Sequence, residues 1–289
     1  MRRSEGGQVT LPLGAPLRLV CIDVDGTLVG SGGVVHPRVW DAVDRARAAG
    51  LRLALCSGRP GFGVAREYAE RLDADGWHSF QNGASVLHLA SGASHSVALS
   101  NEVVDMLQER ATRFGRVLEL YTDSAYAVEQ DTPRVRTHAA LLGVPFAPRS
   151  FASLPRPYVR AQWLLARDVA DSVIAEPHPG LELSPSTSPV MPDTVFVNMT
   201  PAGVTKATAV RAIALSYGIA LDQVMFVGDG DNDVPALRIV GHPVAMANAE
   251  RAALSVATTV VGHVDDGGLA DALTLACSRT RSAAVTPSA

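Results

Sequence analysis

Two aspartates placed directly after a predicted buried strand constrain this chain more than any other feature. The apolar run at residues 17–22, interrupted only by Arg18, predicts a strand, and Asp23 and Asp25 follow it. Because residues i and i+2 of an extended chain face the same way, their carboxylates should lie side by side at the strand end. Two neighbouring carboxylates need a cation, so the pair predicts a charged site at this edge.

A second acidic run follows another apolar strand, predicted at residues 224–227. Its sequence is Gly228-Asp229-Gly230-Asp231-Asn232-Asp233. These carboxylates could supply the remaining hard oxygen ligands for Mg²⁺. A carboxylate beside bound Mg²⁺ is a good phosphoryl acceptor, so the two runs together indicate phosphoryl chemistry.

Two simpler interpretations of the acidic runs can be weighed. Asp-x-Asp-Gly also occurs in ordinary turns, but finding both runs at strand ends in one chain makes a turn-only role a poor explanation. An EF-hand calcium loop needs Gly at its sixth position and Glu at its twelfth. Counted from Asp23 and from Asp229, those positions hold Leu28, Val34, Val234 and Val240.

The length and charge of the chain limit the number of its domains and the classes of partner that it can bind. Its 289 residues suit two domains, and its net charge of -4, without a clustered basic face, argues against a nucleic-acid partner. No apolar run approaches the roughly twenty residues of a membrane span, and residues 1–16 lack the apolar stretch of a signal peptide. We therefore expect a cytoplasmic protein without a membrane partner. Its three cysteines, Cys21, Cys56 and Cys277, are expected to be reduced thiols, mostly buried.

The order of predicted elements indicates an α/β fold. Strands at 17–22 and 51–56 alternate with helices at 37–49 and 61–72, and the pattern resumes with a strand at 194–198 and a helix at 205–217. Between them, hairpin-like segments and helices form an α+β insert. We predict a doubly wound, mostly parallel, Rossmann-like core (17–85 and 191–277) and an inserted domain (86–190), with crossings at 82–85 and 191–194. Residues 1–16 should be disordered and 278–289 a flexible tail.

Four ordered motifs resemble those of the haloacid dehalogenase superfamily, and within it the Cof-type phosphatases of subfamily IIB. They are Asp23-Val24-Asp25-Gly26-Thr27-Leu28, Cys56-Ser57-Gly58-Arg59-Pro60, Lys206 at the start of its helix, and the run Gly228 to Asp233. The resemblance covers residues 17–275. Little chain separates Asp23 from Ser57, whereas the whole insert lies between Ser57 and Lys206. The family calls an insert at this place a C2 cap, lying over the crevice at the carboxyl ends of the strands.

The resemblance implies a Mg²⁺-dependent phosphomonoester hydrolase that forms an aspartyl-phosphate intermediate. Asp23 would be the nucleophile, Asp25 the general acid and base, and Lys206 the cation between nucleophile and phosphate. The implied phosphate-binding residues are Ser57, Gly58 and Asn232, and the implied metal ligands are Asp23, Asp25 (through its backbone carbonyl), Asp229 and Asp233. Asp233 would bind the metal through water or else hold Lys206. Arg59 is left unassigned, because an arginine in a loop is more often a solvated side chain.

The substrate is least determined by the sequence. A cap that covers the crevice favours a small phosphomonoester, and the resemblance points to sugar phosphates first and to phosphorylated cofactors such as pyridoxal phosphate or flavin mononucleotide second. Asn82 and Asn198, at the predicted crossings, are weaker candidates for substrate contact. The cap residues Tyr121, Tyr126, Trp163 and His138 suit the cap core as well as a pocket wall.

Three other functions stay open at this point. A receiver domain also uses acidic residues and a lysine on a doubly wound sheet, but it has neither Asp-x-Asp-Gly-Thr nor an inserted domain. A phosphomutase of the same superfamily shares the motifs and would show a stable phosphoenzyme and a need for a bisphosphate activator. A non-catalytic sugar-phosphate-binding regulator usually lacks Asp25 or Asp229, and both are present here.

Overall fold

The computed structural model describes residues 15–188 and 190–280. Its strands are β1 (Leu19–Ile22), β2 (Arg52–Leu55), β3 (Trp77–Phe80), β4 (Ser85–His88), β5 (Val117–Tyr121), β6 (Tyr126–Val128), β7 (Arg160–Ala166), β8 (Leu181–Ser188), β9 (Met191–Pro201), β10 (Val224–Gly228), β11 (His242–Ala245) and β12 (Thr259–Val260). Its α-helices are α1 (Pro37–Ala48), α2 (Val64–Asp73), α3 (Asn101–Phe114), α4 (Pro133–Leu142), α5 (Arg167–Ile174), α6 (Lys206–Ser216), α7 (Val234–Leu237), α8 (Arg251–Val256) and α9 (Gly268–Ser278).

The core is a parallel sheet in the order β12-β11-β10-β1-β2. Its central strand β10 and the neighbouring strand β1 are completely buried, because helices cover the sheet on both faces. Apolar residues of α1, α2 and α9 pack against one face, and those of α6, α7 and α8 pack against the other. Parallel strands covered on both sides are expected to be continuous apolar runs, which explains the sequences of β1 and β10. The predicted doubly wound α/β core is confirmed.

The neighbouring positions of β1 and β10 bring the two acidic runs together. Ile22 is in register with Val227, and the backbone N–H of Asp23 donates to the carbonyl of Val227 over 3.0 Å. Because both strands run in the same direction, the residues that follow them meet at one edge of the sheet. Asp23 and Asp229 are therefore brought to the same place by strand pairing alone.

The inserted cap is a five-stranded antiparallel sheet in the order β6-β5-β7-β9-β8. Helices α3 and α5 pack on one face of this sheet, around a core that includes Trp163. On the opposite face, α4 packs near Phe196. The side chains of β7 and β9 alternate between the two faces, as expected for strands. The prediction of an α+β cap is confirmed.

The predicted boundaries of the cap need correction. Strand β9 pairs with β7 and β8, so the strand predicted for the core at 194–198 lies in the cap sheet, and the return crossing follows Pro201 instead of falling at 191–194. At the other end, β4 pairs with β3, which leaves 85–88 outside the cap sheet. A short apolar run does not reveal which sheet its strand joins. The polar β8 was not predicted at all, and it tolerates Pro185 because it is an edge strand.

The ends of the core lie close together. The backbone N–H of Leu17 donates to the carbonyl of Arg279 over 2.9 Å. Residues 1–14 and 281–289, most of the predicted disordered segment and tail, lie outside the described residues. Cys21 and Cys56 are buried free thiols, and Cys277 is a partly buried one. Within 15–188 and 190–280, no helix has both the length and the apolar character needed to cross a membrane.

Candidate active site

A buried ion-pair cluster lies at the carboxyl edge of the core sheet. The Nζ of Lys206 is 2.5 Å from Oδ1 of Asp23 and 2.6 Å from Oδ1 of Asp233, and Lys206 is only 1% exposed. Lys206 begins α6, whose first turn is held by a capping box between Thr205 and Thr208. Burial alone would lower the pKa of the Lys206 ammonium, but the charges of Asp23 and Asp233 outweigh it and raise that pKa. The ammonium therefore stays charged beside Asp23.

Asp233 has protein partners on both of its carboxylate oxygens. Oδ1 accepts from Lys206, and Oδ2 accepts from the backbone N–H groups of Asp229 and Gly230, each over 3.0 Å. Asp233 therefore holds the acidic loop in shape while it orients Lys206. Of the two roles predicted for this residue, the geometry favours the second.

Three carboxylates lie close enough to share a metal ion. Asp23, Asp229 and Asp233 each offer an oxygen, and these oxygens lie within 4.8 Å of one another. Burial, with the charge of Asp233 adding to it, raises the pKa of Asp23 well above its ordinary value. Burial also raises the pKa of Asp229 to about 6, although the hydrogen bond that Asp229 accepts from Thr27 acts to lower it. Crowded carboxylates with one ammonium among them are an oxygen-rich, negatively charged site, which fits Mg²⁺.

Gly26 allows the first acidic loop to approach Asp229 closely. Its φ of +87° lies in the left-handed region, and a Cβ at this position would be 2.1 Å from Oδ2 of Asp229. Its carbonyl also accepts from Nδ2 of Asn248 over 2.8 Å. A side chain at position 26 would therefore displace the Asp229 carboxylate.

The carboxylate of Asp25 does not join this cluster. Its Oδ1 is 2.5 Å from Nη2 of Arg59, its Oδ2 accepts from Nε of Arg59 over 3.0 Å, and its side chain is 61% exposed. Among the described residues the two carboxylates have separate cation partners, Lys206 for Asp23 and Arg59 for Asp25. The chain turns after β1, where the N–H groups of Thr27, Leu28 and Val29 all donate to the carbonyl of Val24. The extended geometry behind the prediction does not persist through that turn.

The residues predicted to bind phosphate, Ser57, Gly58 and Asn232, lie at the same edge as Asn82, a weaker candidate for substrate contact. Gly58, Asn82 and Asn232 line a crevice together with Asp23, and Nδ2 of Asn232 donates to Oδ1 of Asn82 over 3.1 Å. Ser57 is completely buried, and its hydroxyl accepts from the backbone N–H of Arg59 over 3.0 Å. Asn82 has a φ of 56°, a strained conformation of the kind that concentrates at functional sites. The structure therefore brings the three predicted phosphate-binding positions and Asn82 to one edge of the sheet.

The crevice lies between core and cap and has a volume of about 680 Å³. The cap contributes Arg160, Gln162 and Asn198 from its sheet and His138 from α4. Asn198 lies in the middle of β9, not at a crossing as predicted, yet it does face the crevice. A crevice of this size suits a small metabolite.

Sequence reasoning left several residues of this site unassigned. Arg59 and Arg160 received no role, although Arg160 interrupts an otherwise apolar strand, and such a charge is a usable signal. Of the undecided cap residues, Trp163 belongs to the cap core, whereas His138 lines the crevice. Tyr121 is buried, and its hydroxyl donates to Glu119 over 2.5 Å.

Comparison with known proteins gives consistent matches. The family model of the haloacid dehalogenase-like hydrolases matches residues 20–273. YxeH of Bacillus subtilis, which carries a provisional phosphatase name, is 27% identical over 271 residues, covering 89% of this chain and 97% of YxeH. The 5-amino-6-(5-phospho-D-ribitylamino)uracil phosphatase YwtE of the same organism is 23% identical, covering 88% of this chain and 96% of YwtE.

Solved structures share the whole architecture. BT1666 of Bacteroides thetaiotaomicron, described among the phosphatases of this superfamily, superposes with a TM-score of 0.77 at 25% identity and covers 93% of this chain and 99% of its own. A structure described as the subclass IIB sugar phosphatase BT4131 gives a TM-score of 0.75 at 23% identity, with 89% of this chain and 98% of its own covered. The second likeness shows the fold alone.

Proposed function

This chain belongs to the haloacid dehalogenase-like hydrolases and is a phosphatase of their Cof type, and from that premise we propose that it hydrolyses small phosphomonoesters, sugar phosphates first, with Mg²⁺. The observation that carries the proposal is the buried contact between Asp23 and Lys206 at the floor of the crevice. A carboxylate held by an ammonium at the edge of a crevice is suited to attack a phosphoryl group, and a buried ion pair contributes little to stability compared with apolar packing.

Asp23 is the proposed nucleophile. Its carboxylate oxygen forms a bond to phosphorus while the bond from phosphorus to the ester oxygen breaks, giving an aspartyl phosphate and an alcohol. Lys206 remains charged throughout, because two carboxylates surround it. Its ammonium offsets the charge that accumulates when a phosphate approaches Asp23.

Asp25 is the proposed general acid and base. As an acid it donates a proton to the leaving ester oxygen, and as a base it then accepts a proton from the water that hydrolyses the aspartyl phosphate. It lines the crevice, and Arg59 fixes its carboxylate with two hydrogen bonds. Arg59 is therefore a positioning residue for Asp25.

Asp23 and Asp229, with the backbone carbonyl of Asp25, are the proposed Mg²⁺ ligands. Bound there, Mg²⁺ would offset the charge of the carboxylates and polarise a phosphoryl oxygen. Asp233 has both oxygens engaged, so we assign it to Lys206 and the loop. Gly58, Asn232 and the loop around Ser57 supply N–H groups and an amide to the phosphoryl oxygens.

Mg²⁺ should stabilise the protein in a pH-dependent way. Because the pKa of Asp229 is raised to about 6 on folding, the folded metal-free protein holds its proton more tightly than the unfolded chain. Ionisation of Asp229 therefore lowers the free energy of unfolding of the metal-free protein as the pH rises from about 4 through about 6. Mg²⁺ binds the deprotonated carboxylates, so its stabilisation should grow over the same range.

We expect excess Mg²⁺ to raise the melting temperature by several degrees at about pH 7.5 and by little at about pH 5. The measurement is thermal unfolding with and without Mg²⁺, and Asp229→Asn should lose most of the effect. Asp41→Asn, an exposed aspartate on α1, is the control that should retain it. A shift that is equal at both pH values, or equal in Asp229→Asn, would contradict the metal assignment.

A screen of phosphorylated metabolites at fixed Mg²⁺ concentration tests the substrate class. We expect Mg²⁺-dependent hydrolysis of a generic aryl phosphate, with sugar phosphates among the best natural esters. The crevice of about 680 Å³ between core and cap supports small substrates, and the name of YwtE specifies a phosphorylated ribityl ester for that relative. If the best sugar phosphate had a kcat/KM more than roughly a hundredfold below that of a cofactor such as flavin mononucleotide, the cofactor class would replace it. A bisphosphate requirement would indicate a phosphomutase.

A further inference from the structure

Arg160 of β7 is a buried cation with incomplete partners. The residue is 2% exposed, and its Nη1 donates to the carbonyl of Gly58 and to Oδ1 of Asn198, each over 2.9 Å. Its Nε and Nη2 are buried and have no hydrogen-bond partner among the described residues. Burying a guanidinium without a carboxylate is costly, so its presence in the cap needs an explanation beyond stability.

Glu119 is the nearby acid, but it is already occupied. Its Oε2 accepts from the hydroxyl of Tyr121 over 2.5 Å and from Nε2 of Gln162 over 3.1 Å. Its Oε1 lies 3.0 Å from Nδ1 of His138. The Tyr121 ring lies against Arg160, with the guanidinium carbon 3.8 Å from the ring centroid. These contacts fix the side chains that pack against Arg160 but give it no carboxylate partner.

Arg160 lies in the same crevice as the residues of the proposed reaction. It lines the same crevice as Asp23 and Asp25, and it contacts Gly58 of the phosphate-binding loop. The other cations of this region are paired, Lys206 with Asp23 and Arg59 with Asp25. In the part of the crevice that the structure describes, Arg160 is thus the cation that still lacks an anion.

We propose that Arg160 binds a second anionic group, carried by the leaving group of the substrate. The preferred ester would then have a carboxylate or a second phosphate in addition to the phosphate that is cleaved. A guanidinium suits both groups because its fork of N–H donors matches their oxygens. This inference rests on the proposed phosphatase function and narrows its substrate class.

Matched pairs of esters test the proposal and separate the two sources of negative charge. For a carboxylate, 6-phosphogluconate is compared with sorbitol 6-phosphate, an open-chain ester that carries a hydroxymethyl group instead. For a second phosphate, fructose 1,6-bisphosphate is compared with its two monophosphates. We expect the more anionic member of at least one pair to have a kcat/KM higher by about tenfold or more, in line with one charged hydrogen-bonded contact.

Variants show whether Arg160 causes the preference. Arg160→Gln should bring the ratio of the preferred pair close to one, and Arg160→Lys should keep part of it because the charge remains. Asn198→Asp is a second, nearly isosteric variant that places a carboxylate on Arg160 and should also remove the preference. It covers the case in which Arg160→Gln does not fold, which circular dichroism would reveal. The control is Arg113→Gln, an exposed cap arginine on α3 whose loss should leave the ratio unchanged.

The outcomes distinguish this inference from the proposed function. Wild-type ratios near one in both pairs would overturn the role of Arg160, and so would a preference that survives in Arg160→Gln or in a folded Asn198→Asp. Absence of hydrolysis of every ester, including the aryl phosphate, would count against the phosphatase assignment itself. A preference lost in both variants and kept in Arg113→Gln supports the anion site.

Discussion

Replacing Asp23 by asparagine should lower phosphatase activity by several orders of magnitude. The amide cannot attack phosphorus, so the covalent route is closed rather than weakened. The fold should survive, because an asparagine oxygen can still accept the hydrogen bond from Lys206, which also keeps its contact with Asp233. The measurement is kcat/KM for an aryl phosphate and for the best metabolite of the screen.

Asp41→Asn is the matched control for this substitution, because it removes an exposed carboxylate far from the crevice and should leave turnover unchanged. Circular dichroism of both variants guards against a folding artefact. Turnover in Asp23→Asn above roughly a tenth of wild type would be incompatible with Asp23 as the nucleophile.

Replacing Lys206 by methionine should damage both activity and stability. Without the ammonium, the buried carboxylates of Asp23 and Asp233 lose their shared cation, and breaking a buried ion pair in this way typically costs about 3 to 5 kcal/mol. Activity should fall by roughly a hundredfold or more, because the charge that offsets the incoming phosphate is gone. Denaturant unfolding and steady-state kinetics measure the two losses.

The stability loss in Lys206→Met should depend on pH. Removing the ammonium raises the pKa of the Asp23 carboxyl further in the folded state, which favours its protonated form. The variant should therefore be closest to wild type at about pH 5 and fall further behind as the pH rises towards about 8. Lys206→Arg, which keeps a charge, should be less destabilised. Equal stability of Lys206→Met and wild type at the higher pH would contradict the ion-pair account.

Strand topology explains why the meeting of the two acidic runs could be predicted from the sequence. Residues that follow adjacent parallel strands must meet at one edge, so the sequence alone places Asp23 and Asp229 together. Lys206 has a further signal in the composition, since it is the only lysine in a chain whose other basic residues are all arginine. An amine used where the chain otherwise uses guanidinium indicates a position that needs a compact point charge.

The features that the sequence did not predict have a different cause, because they depend on tertiary contacts. The direction of the Asp25 carboxylate depends on a turn built on the Val24 carbonyl and on Arg59, which local spacing does not reveal. Strand β9 contains the same consecutive apolar residues, Val195, Phe196 and Val197, whether it joins the core or the cap, so its sheet could not be predicted. A role for Arg160 can be inferred only from its hydrogen-bond partners in the folded protein and from the donors that lack one.

Direct capture of a phosphorylated Asp23 tests the central claim most closely. The wild-type enzyme would be mixed with a good substrate and Mg²⁺, quenched in acid within a single turnover, reduced with borohydride and digested for peptide mass spectrometry. Because borohydride converts an aspartyl phosphate to homoserine, we predict homoserine at position 23, at no other aspartate, and not in Asp23→Asn. Rapid product formation without any modified Asp23, or modification at Asp25 or Asp229 instead, would contradict the proposed mechanism.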